Sequence, residues 1–117
     1  MSDKFVWSLK NGDLEQVQEY VYQNKIDVNK NIEGRTPLHY AADYGQKEII
    51  RYLIDKGANV NVVDKHGISP LLAAIWEGHT DCIKYMIEKG ADVTGKTPDG
   101  LTYLDAAEKQ EIKKLLQ

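Results

Sequence analysis

The chain has too few cysteines for an internal disulfide, since Cys82 stands alone, and a reducing compartment is the economical expectation. Long apolar runs are also missing. The opening Met1-Ser2-Asp3-Lys4-Phe5-Val6-Trp7 lacks the apolar core of a signal peptide, and no stretch approaches membrane-spanning length. Nor is there an excess of basic charge: 18 carboxylates stand against 15 Lys and Arg, a net −3. A primary nucleic-acid binder normally shows a basic face for phosphates, so that class is not expected, whereas a basic protein surface would suit this chain. No Ser/His/Asp or paired-carboxylate arrangement stands out, and catalysis is not expected. The reading is a soluble cytoplasmic protein, with the nucleus open as a second location.

What the chain does have is a repeat. Gly34-Arg35-Thr36-Pro37-Leu38-His39-Tyr40-Ala41-Ala42-Asp43-Tyr44-Gly45 returns 33 residues on as Gly67-Ile68-Ser69-Pro70-Leu71-Leu72-Ala73-Ala74-Ile75-Trp76-Glu77-Gly78. Gly57-Ala58-Asn59-Val60-Asn61 likewise returns as Gly90-Ala91-Asp92-Val93-Thr94. A fixed period of this length means stacked small units. Pro after Thr or Ser can open a helix, because its ring presets φ and its missing N–H has no helical partner to lose. Small Ala41 and Ala74 let neighbouring helices approach, while Gly45 and Gly78 end the first helix of a unit and Gly57 and Gly90 the second.

These motifs resemble the ankyrin repeat family: Thr-Pro-Leu-His-x-Ala-Ala, a Gly, an apolar second helix, then Gly-Ala-Asn/Asp-Val. The resemblance implies an all-α solenoid of stacked helix-turn-helix units with β-hairpin loops. The expected layout is one domain over residues 1–117, with an N-terminal capping repeat at 1–33, repeats at 34–66 and 67–99, and a C-terminal capping half-repeat at 100–117. In the first unit Asp13 is the expected N-cap of a helix whose Leu14, Val17 and Val21 face the core, with Glu15, Gln16, Gln18 and Glu19 toward water. In the last, Tyr103 replaces the repeat proline, and Ile112, Leu115 and Leu116 oppose Lys109, Lys113 and Lys114. Polar ends argue for a monomer.

Three features invite a chemical reading. Gly90-Ala91-Asp92-Val93-Thr94-Gly95-Lys96-Thr97 matches the phosphate-loop pattern letter for letter, but a true phosphate loop follows a strand and opens a helix. Here a helix is expected before it and the turn Pro98-Asp99-Gly100 after it, so nucleotide binding is the weak alternative. His39, His66 and His79 lack metal-ligand spacing, and His39 fills a position that in this family bonds locally. Cys82 falls in register with Ile49, which favours burial as a small apolar residue over reactivity. No metal or cofactor is expected.

Recognition remains. In the repeat register the hairpin tips and the outer side of the first helices line a concave face, and the partner-binding candidates there are Trp7, Glu33, Tyr40, Asp43, Tyr44, Trp76 and Glu77. Trp and Tyr are frequent interface hot spots, and carboxylates beside them favour a partner presenting Lys or Arg. Within the family, the segments Asp3 to Leu14, Pro37 to Asp43, Asp64-Lys65-His66 and Lys113 to Gln117 resemble a lineage of small proteins made of ankyrin repeats alone. That resemblance implies binding to the heterodimeric actin capping protein, keeping it off the barbed end, with Trp7, Asp43 and Glu77 at the contact. It also implies a second partner class, the Rel/NF-kappa-B-type transcription factors.

Overall fold

The structure, a computed structural model, describes residues 2–117, with side chains from residue 3 onward; Met1, assigned to the first unit, lies outside the described residues. Eight helices follow one another among them: α1 (Ser2–Asn11), α2 (Leu14–Gln23), α3 (Pro37–Asp43), α4 (Lys47–Asp55), α5 (Pro70–Glu77), α6 (Thr80–Glu88), α7 (Tyr103–Ala106) and α8 (Gln110–Leu116). Odd-numbered helices pack side by side in chain order, even-numbered ones do the same, and each odd helix lies against the even helix that follows it. Two helical layers result, in a body of 41 × 25 × 21 Å. No described helix is long and apolar enough to cross a membrane.

Local chemistry starts the first-layer helices after α1. Pro37 and Pro70 occupy the first turn of α3 and α5, and the side chains of Ser69 and Thr102 accept from the amides of Leu72 and Asp105 at 3.1 and 3.0 Å. Asp13 caps α2 as expected, accepting from Gln16 N–H at 3.1 Å. The second-layer helices after α2 begin differently. Gln46, His79 and Lys109 make no side-chain cap to their own helices; they reach back to the preceding unit, donating to the carbonyls of Lys10, Asp43 and Gly78 at 2.8, 2.9 and 2.8 Å. Those carbonyls lie at the ends of first-layer helices, where partners inside the helix run out. Gly45 makes room for one such link: its φ is +70°, and a Cβ there would fall 2.5 Å from His79 Nδ1.

The apolar faces of both layers meet in one continuous core. Ile49, Ile50 and Leu53 of α4 and Cys82, Ile83 and Met86 of α6 are buried, joined by Phe5, Leu9, Val17, Leu38, Leu71 and Ile112. Helices this short are marginal alone, so the neighbouring unit supplies their stability. Gln16 departs from its expected exposure: it is half-buried, and its side-chain oxygen accepts from the hydroxyl of Ser8 at 2.8 Å.

The hairpins are slighter than the family resemblance implies. Ile32 pairs with Arg35 and Lys96 with Thr102, each as a single antiparallel bridge, and between them Asp64 N–H donates to Ile68 O at 2.9 Å. With α3 starting at Pro37, hardly any chain is left on the return side for a ladder. Side chains join the turns instead. Asn29 Oδ1 accepts from Asn59 N–H at 2.7 Å while its amide donates to Gly57 O at 3.0 Å; Asn61 repeats the pattern with Asp92 N–H and Gly90 O, at 2.7 and 3.1 Å.

His39 is fully buried and joins two units. Its Nδ1 accepts from Thr36 N–H at 3.1 Å and lies 2.9 Å from the Thr36 hydroxyl, and its Nε2 lies 2.7 Å from the carbonyl of Ile68. Only the neutral ring with its proton on Nε2 satisfies both ends. Burial lowers the pKa from its ordinary 6.5, against the hydrogen bond to Ile68 and the nearby Asp64, which raise it. The unfolded imidazole therefore takes up a proton at a higher pH than the folded one, so stability is full above about pH 6.5 and falls as pH drops below it. Thermal midpoints between pH 7.5 and 5.5 should decline less in His39→Leu, the residue type that Leu72 already places, buried, at the matching position.

Candidate protein-interaction face

The outer side of the first layer carries exposed aromatic residues. Trp7 on α1 is 55% exposed, Tyr44 at the end of α3 is 48% exposed and Trp76 on α5 is 46% exposed. Lys10, Asp43 and Trp76 hold the same position in three successive first-layer helices, as do Asn11, Tyr44 and Glu77 one residue further on. Glu33 and Glu77 are exposed and Asp43 is half-exposed. Six of the seven candidates thus reach solvent.

Tyr40 is the correction. It is only 6% exposed, and its hydroxyl donates to the carbonyl of Ile32 at 2.8 Å, so it supports the first hairpin instead of facing a partner. Cations cover its ring: Arg35 sits 5.0 Å and Lys10 5.9 Å from the ring centre. Burial raises the phenol pKa above its ordinary value. The expectation failed because the register of a helix says which way a side chain starts, not where a long phenol ends.

The acidic groups differ in how freely they can meet a guest. Arg35 lies between two carboxylates, with Nη1 3.5 Å from Asp43 Oδ2 and Nε 3.7 Å from Asp64 Oδ2. Asp64 is buried and is already engaged by the amides of His66 and Ile68, at 2.8 and 3.0 Å. Asp43 keeps a solvent-facing side, whereas Glu33 and Glu77 have no ion-pair partner among the described residues. Lys10 is held over the rings of Tyr44 and Tyr40 at 5.5 and 5.9 Å.

Beside α1 the face deepens into a cleft of about 290 Å³ lined by Asp3, Val6, Trp7, Lys10, Ile32 and Glu33. Asp3 and Val6 were not among the candidates. Their spacing held the signal, since Asp3 and Trp7, like Val6 and Lys10, stand four apart on one helix.

The other chemical leads find structural explanations. Gly90 follows α6 at φ +97°, and Thr97 is buried with its amide donating to Leu101 O at 2.9 Å, so Lys96 and Thr97 close a turn and open no helix. Cys82 is buried, and burial pushes its thiol up to about 11, away from thiolate reactivity. His79 is the back-reaching link to Asp43 O. Among the described residues no three His, Cys, Asp or Glu side chains lie close enough together to hold a metal ion.

Stacked helix pairs with an exposed aromatic and acidic face define a repeat protein built for protein contacts. The family model for ankyrin repeats (3 copies) matches residues 5–97, and the chain belongs to the ankyrin repeat family. Relatives similar to it over its full length include myotrophins. It is 57% identical to myotrophin of Gallus gallus and 56% identical to that of Homo sapiens, in alignments of 119 positions covering all of both chains, and 53% identical to that of Xenopus tropicalis over 99% of each. Ankyrin repeats are in general an interaction fold and not an enzymatic one.

Proposed function

We propose that the first-layer face binds the heterodimeric actin capping protein and keeps it off filament barbed ends, in the cytoplasm and with no catalytic step. The observation that carries this reading is the exposure of Trp7, Tyr44 and Trp76 on successive units beside Glu33, Asp43 and Glu77. Large rigid side chains are buried by a partner at little entropic cost, and carboxylates next to them select Lys and Arg on that partner. The full-length likeness to myotrophins supports the same lineage. The mechanism requires a basic actin-binding surface on capping protein, for which an acidic face studded with aromatic groups competes by charge and by bulk. Association is steered by opposite fields, so raised salt slows it.

The test is elongation from actin seeds blocked by capping protein. Addition of this chain is expected to restore growth, with an association rate that falls as salt rises. No restoration at saturating chain overturns the reading, and binding to a purified Rel homology domain at the same concentration would then give the function to the Rel/NF-kappa-B class.

A further inference from the structure

The cleft beside α1 has one wall built from the most exposed tryptophan and another from the tip of the first hairpin. We propose that it receives a single arginine side chain of the protein partner, an inference that rests on the interaction face described above and names the group recognised there.

The hairpin wall is unlike its counterparts. Glu33 and Gly34 form a two-residue turn with φ of +56° and +91°, closed by two backbone bonds between Ile32 and Arg35 at 2.6 and 3.2 Å. Asn31 Oδ1 accepts from Gly34 N–H at 2.8 Å and holds the turn from beneath. His66 and Asp99, one and two periods on, do not take positive φ. Asn, Asp or Gly would be the easier residue before Gly34, since left-handed backbone disfavours a longer side chain. Glu at this place puts a carboxylate on the rim of the cleft.

The lining then selects the guest. Val6 and Ile32 offer an apolar floor, Trp7 an exposed indole, and Asp3 and Glu33 two negative charges. Lys10, the one cation of the lining, is turned to the rings of Tyr44 and Tyr40. An apolar stem with a cationic head fits this arrangement, and about 290 Å³ accommodates one long side chain, whereas a helix about 10 Å across does not enter. Between the two basic residues the chemistry favours arginine. Its guanidinium is planar and weakly hydrated, stacks on indole and meets a carboxylate with two parallel N–H donors; a lysine ammonium stays strongly hydrated and does neither as well.

The experiment uses the full chain and small probes. N-acetyl-arginine N-methylamide is titrated into ¹⁵N-labelled protein while the indole N–H signals of Trp7 and Trp76 are followed, with the citrulline and lysine analogues as comparisons. The arginine probe is expected to shift Trp7 along a saturating curve and to leave Trp76, outside the cleft, nearly still. In Asp3→Asn/Glu33→Gln the apparent affinity should fall about tenfold, the loss of a charge-assisted hydrogen bond. Both residues are exposed, so the variant's amide spectrum should stay dispersed. Equal responses of the two indoles, an equal effect of the citrulline analogue, or unchanged affinity in the variant would each overturn the assignment. No capping protein is present in this titration, so the actin result decides the partner separately: a chain that takes the arginine probe but restores no elongation keeps its cleft and loses that partner.

Discussion

Replacing Trp7, Asp43 and Glu77 together by alanine is expected to weaken capping-protein binding by more than about a hundredfold while leaving the thermal midpoint close to that of the parent. Interface anchors of the tryptophan type cost about 2 kcal/mol or more when truncated, and each 1.4 kcal/mol is about tenfold in affinity. Trp7 is more than half exposed on a helix whose core residues are Phe5 and Leu9, so its removal leaves the interior filled. Asp43 acts twice. Its loss deletes an acceptor and also releases Arg35, 3.5 Å away, adding a positive charge to a face that is to meet positive charge. Glu77 contributes by field alone and should show mainly in the association rate. The check is a binding isotherm beside an elongation assay, with far-ultraviolet dichroism to show that the helices persist. Parental affinity in the folded triple variant would move the contact away from this face.

Leu53→Ala is expected to cost about 3 kcal/mol, within the range of about 2–5 kcal/mol for emptying a packed leucine site. Leu53 is fully buried on α4, and α4 packs on α2, α3 and α6, so the cavity opens where units one, two and three share contacts. Against a total of about 5–15 kcal/mol for a native domain, that is a large fraction. Urea unfolding should shift as one transition to a lower midpoint with an unchanged slope, since each unit is held by its neighbours. Tyr22→Ala, at a site 83% exposed, should stay within about 0.5 kcal/mol of the parent. A Leu53→Ala loss below about 1 kcal/mol would mean that α4 is not the shared core.

The parts of the fold that show in the sequence are those fixed by one residue's own backbone. Pro37 and Pro70 can open helices and Gly45 can end one whatever surrounds them, so their spacing reports the repeat directly. The burial of Cys82 was legible for a related reason: its register with Ile49 places both on the inner side of an even-numbered helix. What escaped depends on where long side chains end. The Tyr40 phenol reaches the Ile32 carbonyl across a hairpin, Gln16 meets Ser8 across a helix junction, and Lys10 lies across two rings of the next unit. Each of these is set by packing between segments. The cleft beside α1 belongs with them, because its far wall stands on a left-handed turn at Glu33 that no pattern of apolar residues announces.

The hydrogen bonds from side chains of one unit to the backbone of another carry a sense. In the turns Asn29 and Asn61 reach forward to the unit that follows, while at the bases of the second-layer helices Gln46, His79 and Lys109 reach back to the unit before. Thr94, in register with Asn61, instead donates its amide and its hydroxyl to Asp92 of its own turn. The units are therefore not interchangeable beads. Each is written for the neighbour on either side, so a shuffled order of the same segments would keep every helical sequence and still bring an asparagine opposite no amide and a glycine opposite the wrong side chain. The array has grammar as well as vocabulary.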